Sequence, residues 1–197
     1  DPMQVKNRLG YLPEESRLYE TMLVPDYLRF FGELYGLDVP TINARADLLL
    51  TQLSLNPEGK RIGNLSKGMK RKVAIARSLV HDPSLLIYDE PGSGLDPMTS
   101  RFIIEYLKGL RDQGKTIILS AHNLFQVEEI CDIVMILKRG DVVIEGTMTE
   151  LRERFGSIRY EVWFILPEES MMELPSDAKK TGNIWVTTVK TVPELND

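Results

Sequence analysis

The run Leu85-Leu86-Ile87-Tyr88-Asp89-Glu90 ends an apolar stretch in two adjacent carboxylates. Apolar runs of this length suit strands buried in a parallel sheet. In open α/β sheets ligands bind beyond the C-terminal ends of the strands, so both acids would point into that crevice. Asp89 suits Mg²⁺, which prefers oxygen ligands and keeps several waters. Glu90 suits polarising an attacking water. Taken alone, the pair reads better as a strand capped by solvated acids. It is not alone. Upstream, Leu65-Ser66-Lys67-Gly68-Met69 stands at the mouth of a helix, where a serine hydroxyl and a glycine N–H form an anion site. Downstream come Ser93-Gly94-Leu95-Asp96 and then His122, just past a second apolar run.

These residues need elements to position them. Residues 8–13 read as a short strand stopped by Pro13. Over 24–36, Tyr27, Leu28, Phe31, Leu34 and Tyr35 recur at helical spacing, and Gly36 closes the pattern. A second helix over 41–54 carries Ile42, Ala46, Leu49, Leu50 and Leu53, and a third runs from Ser66 to about Val80, broken at Asp82-Pro83. Strand 84–89, helix 97–112, strand 116–120, helix 123–130 and strand 132–138 then alternate, the rhythm of a parallel sheet wrapped by helices. The apolar runs Ser84–Tyr88, Thr116–Leu119 and Ile133–Leu137 all suit buried parallel strands. A turn at Gly140-Asp141 leads to strand 142–145, and 148–155 is a short helix. After Gly156 the pattern changes. Ile158, Tyr160, Val162 and Phe164 alternate with polar or aromatic residues, 167–183 are polar, and Ile184 to Val192 is a second β-type segment. Residues 1–155 therefore read as one domain, with a helical subdomain at about 15–80, and 156–197 as the start of a small accessory domain.

Composition is that of an ordinary globular protein, with 43% hydrophobic and 27% charged residues. A net charge of −5 argues against a general binder of nucleic acid or anionic membrane. The single cysteine, Cys131, excludes an intrachain disulfide framework and reads as a small core residue. No run approaches the roughly 20 apolar residues that span a bilayer, and the opening Asp-Pro-Met-Gln-Val-Lys has no signal-peptide character. Contact with a membrane would then go through a partner.

In this order the motifs resemble those of the ATP-binding-cassette family: a signature motif at Leu65–Met69, a Walker B strand with its glutamate at 85–90, a D-loop at Ser93–Asp96 and a switch histidine at 122. The resemblance covers about residues 1–155. It implies an α/β fold with a P-loop NTPase-like parallel sheet and an inserted helical subdomain. It also implies ATP and Mg²⁺ as ligands, with two ATP molecules sandwiched between two head-to-tail domains. Asp89 would serve Mg²⁺, Glu90 would be general base or water-positioner, and His122 would contact the γ-phosphate. Ser66 and Gly68 would touch ATP held by the opposite subunit, and Asp96 would communicate across the dimer. Tyr11-Leu12-Pro13-Glu14 matches the Q-loop, with Glu14 where most of the family has glutamine; its carboxylate would still offer an oxygen to Mg²⁺ or the water. Lys67, Met69 and Gly92 replace the usual Gly, Gln and Thr. The string Leu-Ser-Lys-Gly-Met-Lys-Arg-Lys looks most like an exporter branch that includes sodium and drug efflux ATPases.

The family carries its phosphate-gripping P-loop well before the Q-loop, and these residues begin shortly before theirs. The fold is therefore expected to be N-terminally truncated, without P-loop or adenine-stacking aromatic, and inactive by itself. Gly109-Leu-Arg-Asp-Gln-Gly114-Lys115-Thr116 fits the P-loop pattern letter for letter. A P-loop follows a strand and opens a helix. Here a helix precedes and a strand follows, so Lys115 reads as an exposed turn residue and Gly114 as a helix stop.

The resemblance further implies membrane permease subunits as partners, docked on the region 15–64, and a peripheral place on the cytoplasmic face of the membrane. Phe30, Phe31 and Tyr35 are candidates for the docking groove, with helix core as the plainer reading of Phe31. The basic run Lys67, Lys70, Arg71 and Lys72 reads as a solvated helix face beside a nucleotide site. Three other readings share the motifs. A DNA-repair ATPase would need a long coiled coil within 15–64, which shows no sustained heptads. A translation-associated protein would carry a second cassette. A regulatory remnant would lack hydrolysis.

Overall fold

A computed structural model describes residues 2–57, 59–155, 160–164, 179–181 and 184–189. The chain divides into two compact units, residues 1–130 and 131–197.

The first unit opens with α1 (Pro2–Arg8), which the sequence reading did not anticipate, and β1 (Leu9–Leu12). The helical region follows as α2 (Val24–Leu34) and α3 (Val39–Gln52). Then come α4 (Lys67–Leu79), β2 (Leu85–Asp89), α5 (Pro97–Asp112), β3 (Thr116–Ser120) and α6 (Leu124–Ile130). The three strands form a parallel sheet in the order β1-β2-β3, so the strand bearing the two acids lies in the middle. Gly10 pairs with Leu86, and Asp89 with Ser120.

Helix starts follow local chemistry. Asp38, Ser66 and Asp96 each accept the N–H three residues on, from Thr41, Met69 and Thr99. Such caps satisfy amides that have no partner within the helix. Proline at the first or second position helps start α2, α3 and α5. Gly36 and Gly114 take left-handed φ values of 77° and 92° just past α2 and α5, the conformation that ends a helix. The core lies between α4, α5 and β2. Val73 to Ala76 and Leu79 of α4, Leu86 and Tyr88 of β2, and Ile103, Ile104, Leu107 and Leu110 of α5 are all buried. Burial pushes the Tyr88 phenol up, and its hydroxyl is satisfied by Ser78 Oγ at 2.6 Å. In α2, Tyr27 and Leu28 are buried as expected, whereas Leu34 faces solvent. Phe30 is exposed and Phe31 half-buried among Tyr19, Tyr27 and Phe30, while Tyr35 stacks on His81 at 3.7 Å.

In the second unit β4 (Val134–Lys138) and β5 (Asp141–Gly146) form an antiparallel hairpin turned by Arg139 and Gly140, both at positive φ. This corrects the reading of Ile133–Leu137 as a buried parallel strand. The only ladder partner of β4 among the described residues is β5, and Ile133, Met135, Ile136 and Leu137 are exposed, Ile133 to 63%. Cys131 is half-buried rather than in the core. Helix α7 (Met148–Phe155) starts in a reciprocal cap, Thr147 N–H donating to Glu150 Oε2 and Glu150 N–H to Thr147 Oγ1. Strands β6 (Tyr160–Phe164), β7 (Lys179–Thr181) and β8 (Ile184–Val189) form an antiparallel sheet in the order β6-β8-β7. β7 falls in the stretch read as polar connection. The readings of Ile158 and of 190–192 as strand fall outside the described residues. Among the described residues no helix is long and apolar enough to cross a membrane.

Gly10 shows how tightly β1 sits. A Cβ there would meet Ser78 O at 2.6 Å, Leu86 Cδ2 at 2.7 Å and Pro83 Cγ at 2.9 Å. Gly10→Ala should therefore lower stability by about 2 kcal/mol through overpacking, read as a lower urea midpoint. An unchanged midpoint would show that α4 and the 82–84 turn yield freely.

Candidate functional site

The acids sit where the central strand ends. Asp89 is the last residue of β2, and Glu90 follows at φ 46°, a left-handed conformation that a non-glycine residue rarely adopts. Neighbouring atoms hold it there. The Glu90 N–H is shared between Ser120 O at 3.2 Å and Ser120 Oγ at 3.0 Å, and the Glu90 carbonyl accepts the Ser93 N–H at 3.0 Å. Ser120 Oγ in turn donates to Asp89 Oδ1. One hydroxyl thus ties both acids to the end of β3. The sequence reading missed Ser120, because its importance comes from the register Asp89↔Ser120, which spacing along the chain does not reveal.

The turn brings Glu90 to His122. His122 Nδ1 lies 2.7 Å from Glu90 Oε2, and the imidazole is 74% exposed while the carboxylate is only 20% exposed. With Glu90 ionised, Nδ1 must carry the donated proton, which leaves Nε2 facing outward.

Arg71 is the second residue that the sequence reading missed. The basic run was expected to be a solvated face, and for Arg71 this is corrected: the side chain is 7% exposed. Its Nε donates to Pro91 O, Nη1 to Pro13 O and Glu14 O, and Nη2 to Asp89 O and Glu90 O, at 2.6–2.9 Å. Burial draws the guanidinium pKa down, opposed by the nearby charges of Asp89 and Glu14, and an arginine stays charged regardless. The signal was available: Arg71, Ala74, Ile75 and Ser78 share one helical face, and the other three are buried. Lys70 pairs with Glu20 at 2.8 Å, and the Lys72 ammonium lies 4.0 Å from the centre of the Phe102 ring.

Ser66 uses its hydroxyl as acceptor in capping α4, which leaves its proton free to donate outward. Gly68 is close-packed, since a Cβ would stand 3.0 Å from Thr99 Cγ2. Asp96 caps α5, and the hydrogen bond from Thr99 holds its carboxyl below the ordinary range. Glu14 Oε1 accepts a long hydrogen bond, 3.4 Å, from Ser93 Oγ. With Lys67, Lys70, Arg71, Ser93 and Leu95 it lines a cleft of about 310 Å³. A wider cleft of about 510 Å³ lies beside His122, Ser93, Gly94 and Gln126. Gly92, whose departure from the usual Thr the sequence left unexplained, has its reason here: a Cβ would lie 2.5 Å from the buried Ser100 Oγ. Among the described residues no three His, Cys, Asp or Glu side chains cluster to hold a metal by themselves. Asp89 at the end of β2 offers a single carboxylate, the kind of ligand Mg²⁺ takes together with waters and substrate phosphates.

Residues 2–93 match the family model described as ABC transporter. These residues are those of an ABC transporter ATPase domain. The chain is 39% identical over 154 residues to the ABC transporter ATP-binding protein NatA of Bacillus subtilis, covering 77% of this chain and 63% of that relative. It is 37% identical over 149 residues to the Nod factor export ATP-binding protein I of Cupriavidus pinatubonensis, covering 75% and 46%. A solved structure of cbiO1 from Clostridium perfringens, described as part of the ABC transporter complex cbiONQ, superposes with a TM-score of 0.68 at 30% identity, covering 77% of this chain and 61% of that one. The chain thus spans less than two thirds of the length of these relatives.

In this ABC domain the P-loop look-alike has its context reversed, as expected. Lys115 sits between the end of α5 and β3. It is not the exposed residue anticipated, however: its side chain is 19% exposed, with Nζ 2.6 Å from Asp82 Oδ1 and 2.8 Å from Pro83 O. The hydrogen bond from Lys115 holds the Asp82 carboxyl below its ordinary range. A lowered carboxyl pKa stabilises the fold above the unfolded-state value, and that contribution is lost as pH falls through the folded-state value. Lys115→Ala should cost at most about 1 kcal/mol at neutral pH, since Asp82 is largely exposed, and should flatten the loss of stability on acidification. MgATP affinity of the protein expressed from its own gene should be unchanged. Urea midpoints at neutral and acid pH and a calorimetric titration check both, and lost affinity in a folded variant would make Lys115 a phosphate ligand.

Proposed function

We propose that this chain forms part of the ATP-binding and ATP-hydrolysing subunit of an ABC transporter of the exporter kind. In this reading ATP-driven closure of a head-to-tail pair of such subunits is coupled to membrane permease subunits, on whose cytoplasmic side the protein is peripheral. The observation that carries the chemistry is the Glu90–His122 pair, 2.7 Å apart beyond the end of the central strand and next to Asp89. Export is supported by the exporter-like signature string and by the name of the Nod factor export relative. A permease partner is supported by the assembly named for cbiO1.

Each residue then has a task. Glu90 accepts the proton of the water that attacks the γ-phosphorus, with the P–O bond to ADP breaking in line. His122 holds the Glu90 carboxylate through Nδ1 and presents Nε2 to the γ-phosphate. Asp89, tethered by Ser120, would hold Mg²⁺, which when bound neutralises charge on the phosphates. Ser66 and the Gly68 N–H at the start of α4 would meet ATP held by the opposing subunit, and Asp96 would lie at the dimer seam. Glu14 would offer an oxygen to Mg²⁺ or the water. Residues 1–155 would make up the ATPase part, and 156–197 the beginning of an accessory domain. The region between Glu14 and Leu65 holds helices of 11 and 14 residues, which disfavours a DNA-repair ATPase with its long coiled coil.

Glu90→Gln should reduce phosphate release from MgATP by roughly 100-fold or more in the protein expressed from its own gene, while MgATP affinity is retained. The variant should also accumulate as an ATP-dependent dimer on size exclusion. Retained turnover would remove Glu90 from the reaction. Absence of MgATP binding by the unsubstituted protein would overturn the reading as a whole.

A further inference from the structure

Arg71 uses all five of its N–H donors, and every acceptor is a backbone carbonyl. Two carbonyls, of Pro13 and Glu14, belong to the loop after β1. Three, of Asp89, Glu90 and Pro91, belong to the end of β2 and the turn beyond it. The guanidinium itself is carried on α4, five residues past Ser66. Three segments distant in sequence therefore meet on one rigid, planar group. Because the acceptors are main-chain atoms, Arg71 fixes where the backbone runs rather than which side chains it carries. The carbonyl of Glu90 is among them, and Glu90 has the strained left-handed φ on which its approach to His122 depends. Such conformations persist where the surroundings over-determine them. Ser120 and His122 restrain Glu90 from the β3 side, and Arg71 restrains it from the α4 side.

We propose that Arg71 is a positioning residue for ATP hydrolysis: it locks the Pro13–Glu14 loop, the Asp89–Pro91 turn and the signature helix into one unit and so sets the place of Glu90. The inference rests on the hydrolytic reading of the site. All its donors go to backbone carbonyls, so its effect passes through the backbone. Lysine keeps the charge but has a compact three-donor head, which cannot reach five carbonyls in one plane.

The test uses the protein expressed from its own gene, with Arg71→Lys and Arg71→Gly. Turnover and MgATP affinity are measured separately, and the folded fraction is followed by circular dichroism and urea midpoint. A folded Arg71→Lys should bind MgATP within about threefold of the unsubstituted protein yet turn over some 30- to 100-fold more slowly, the size expected for a small misplacement of a reacting group. Added guanidinium should restore part of the turnover of Arg71→Gly, and methylammonium should not. Variants that keep full turnover overturn the proposal. So do variants that lose turnover only in proportion to folded protein, and so does outright unfolding of both, which would assign Arg71 to stability alone. Failure of the unsubstituted protein to hydrolyse ATP would instead sink the reading of the site, and the two failures are thereby distinguished.

Discussion

The first unit is organised around one buried cation whose partners are all peptide carbonyls. A buried guanidinium without partners would be strongly destabilising, so its presence at 7% exposure constrains everything around it. The carbonyls of Asp89, Glu90 and Pro91 must converge, and they do so only because the chain turns sharply out of β2. The loop after β1 must approach from the other side to supply Pro13 and Glu14. Ordinary neutral hydrogen bonds contribute about 1 kcal/mol each, and those to a charged donor somewhat more. The larger effect is what removal would leave: five carbonyls facing a void.

That constraint fits a second one from the neighbouring strand β3. Parallel pairing puts Ser120 beside Asp89, and the serine hydroxyl links the Asp89 carboxylate to the Glu90 amide. Glu90 is therefore gripped at its N–H by β3, at its carbonyl by α4, and at its carboxylate by His122. A residue with a left-handed φ can be held in one place only by contacts of this kind, because its own conformational preference runs the other way.

Local rules made much of this legible in the sequence. Helix α5 and strand β3 lie where they were expected, since Asp96-Pro97 starts one and Gly114 separates it from the other. The acids at the end of β2 and His122 stand out by residue type and order, and of these Glu90 and His122 lie 2.7 Å apart. What stayed hidden depends on three-dimensional register. Ser120 is one of many serines until β2 and β3 are paired. Arg71 lies within a basic run, and only its place on the Ala74, Ile75 and Ser78 face of α4 sets it apart from Lys70 and Lys72. The strand at 134–138 was misjudged for a related reason: an apolar run of five residues has the same appearance in a buried parallel strand and in an open hairpin.

The departures from the family pattern follow the same logic of local fit. Gly92 stands where a side chain would strike Ser100 Oγ, and Ser100 is itself buried and bonded to Gln126 at 3.0 Å. The extra side chain at Lys67 lies over Gly94, whose φ of 63° already favours glycine, so the bulk added at one motif rests on a residue without bulk at the next. The look-alike at Gly109–Thr116 makes the opposite point. All its letters are right, yet Lys115 is spent on Asp82 and Pro83, and a strand stands where a P-loop needs a helix. Whether a motif can act is decided by what its donors already hold and which element follows it. By that measure the glycine-lysine turn before β3 is a structural tie.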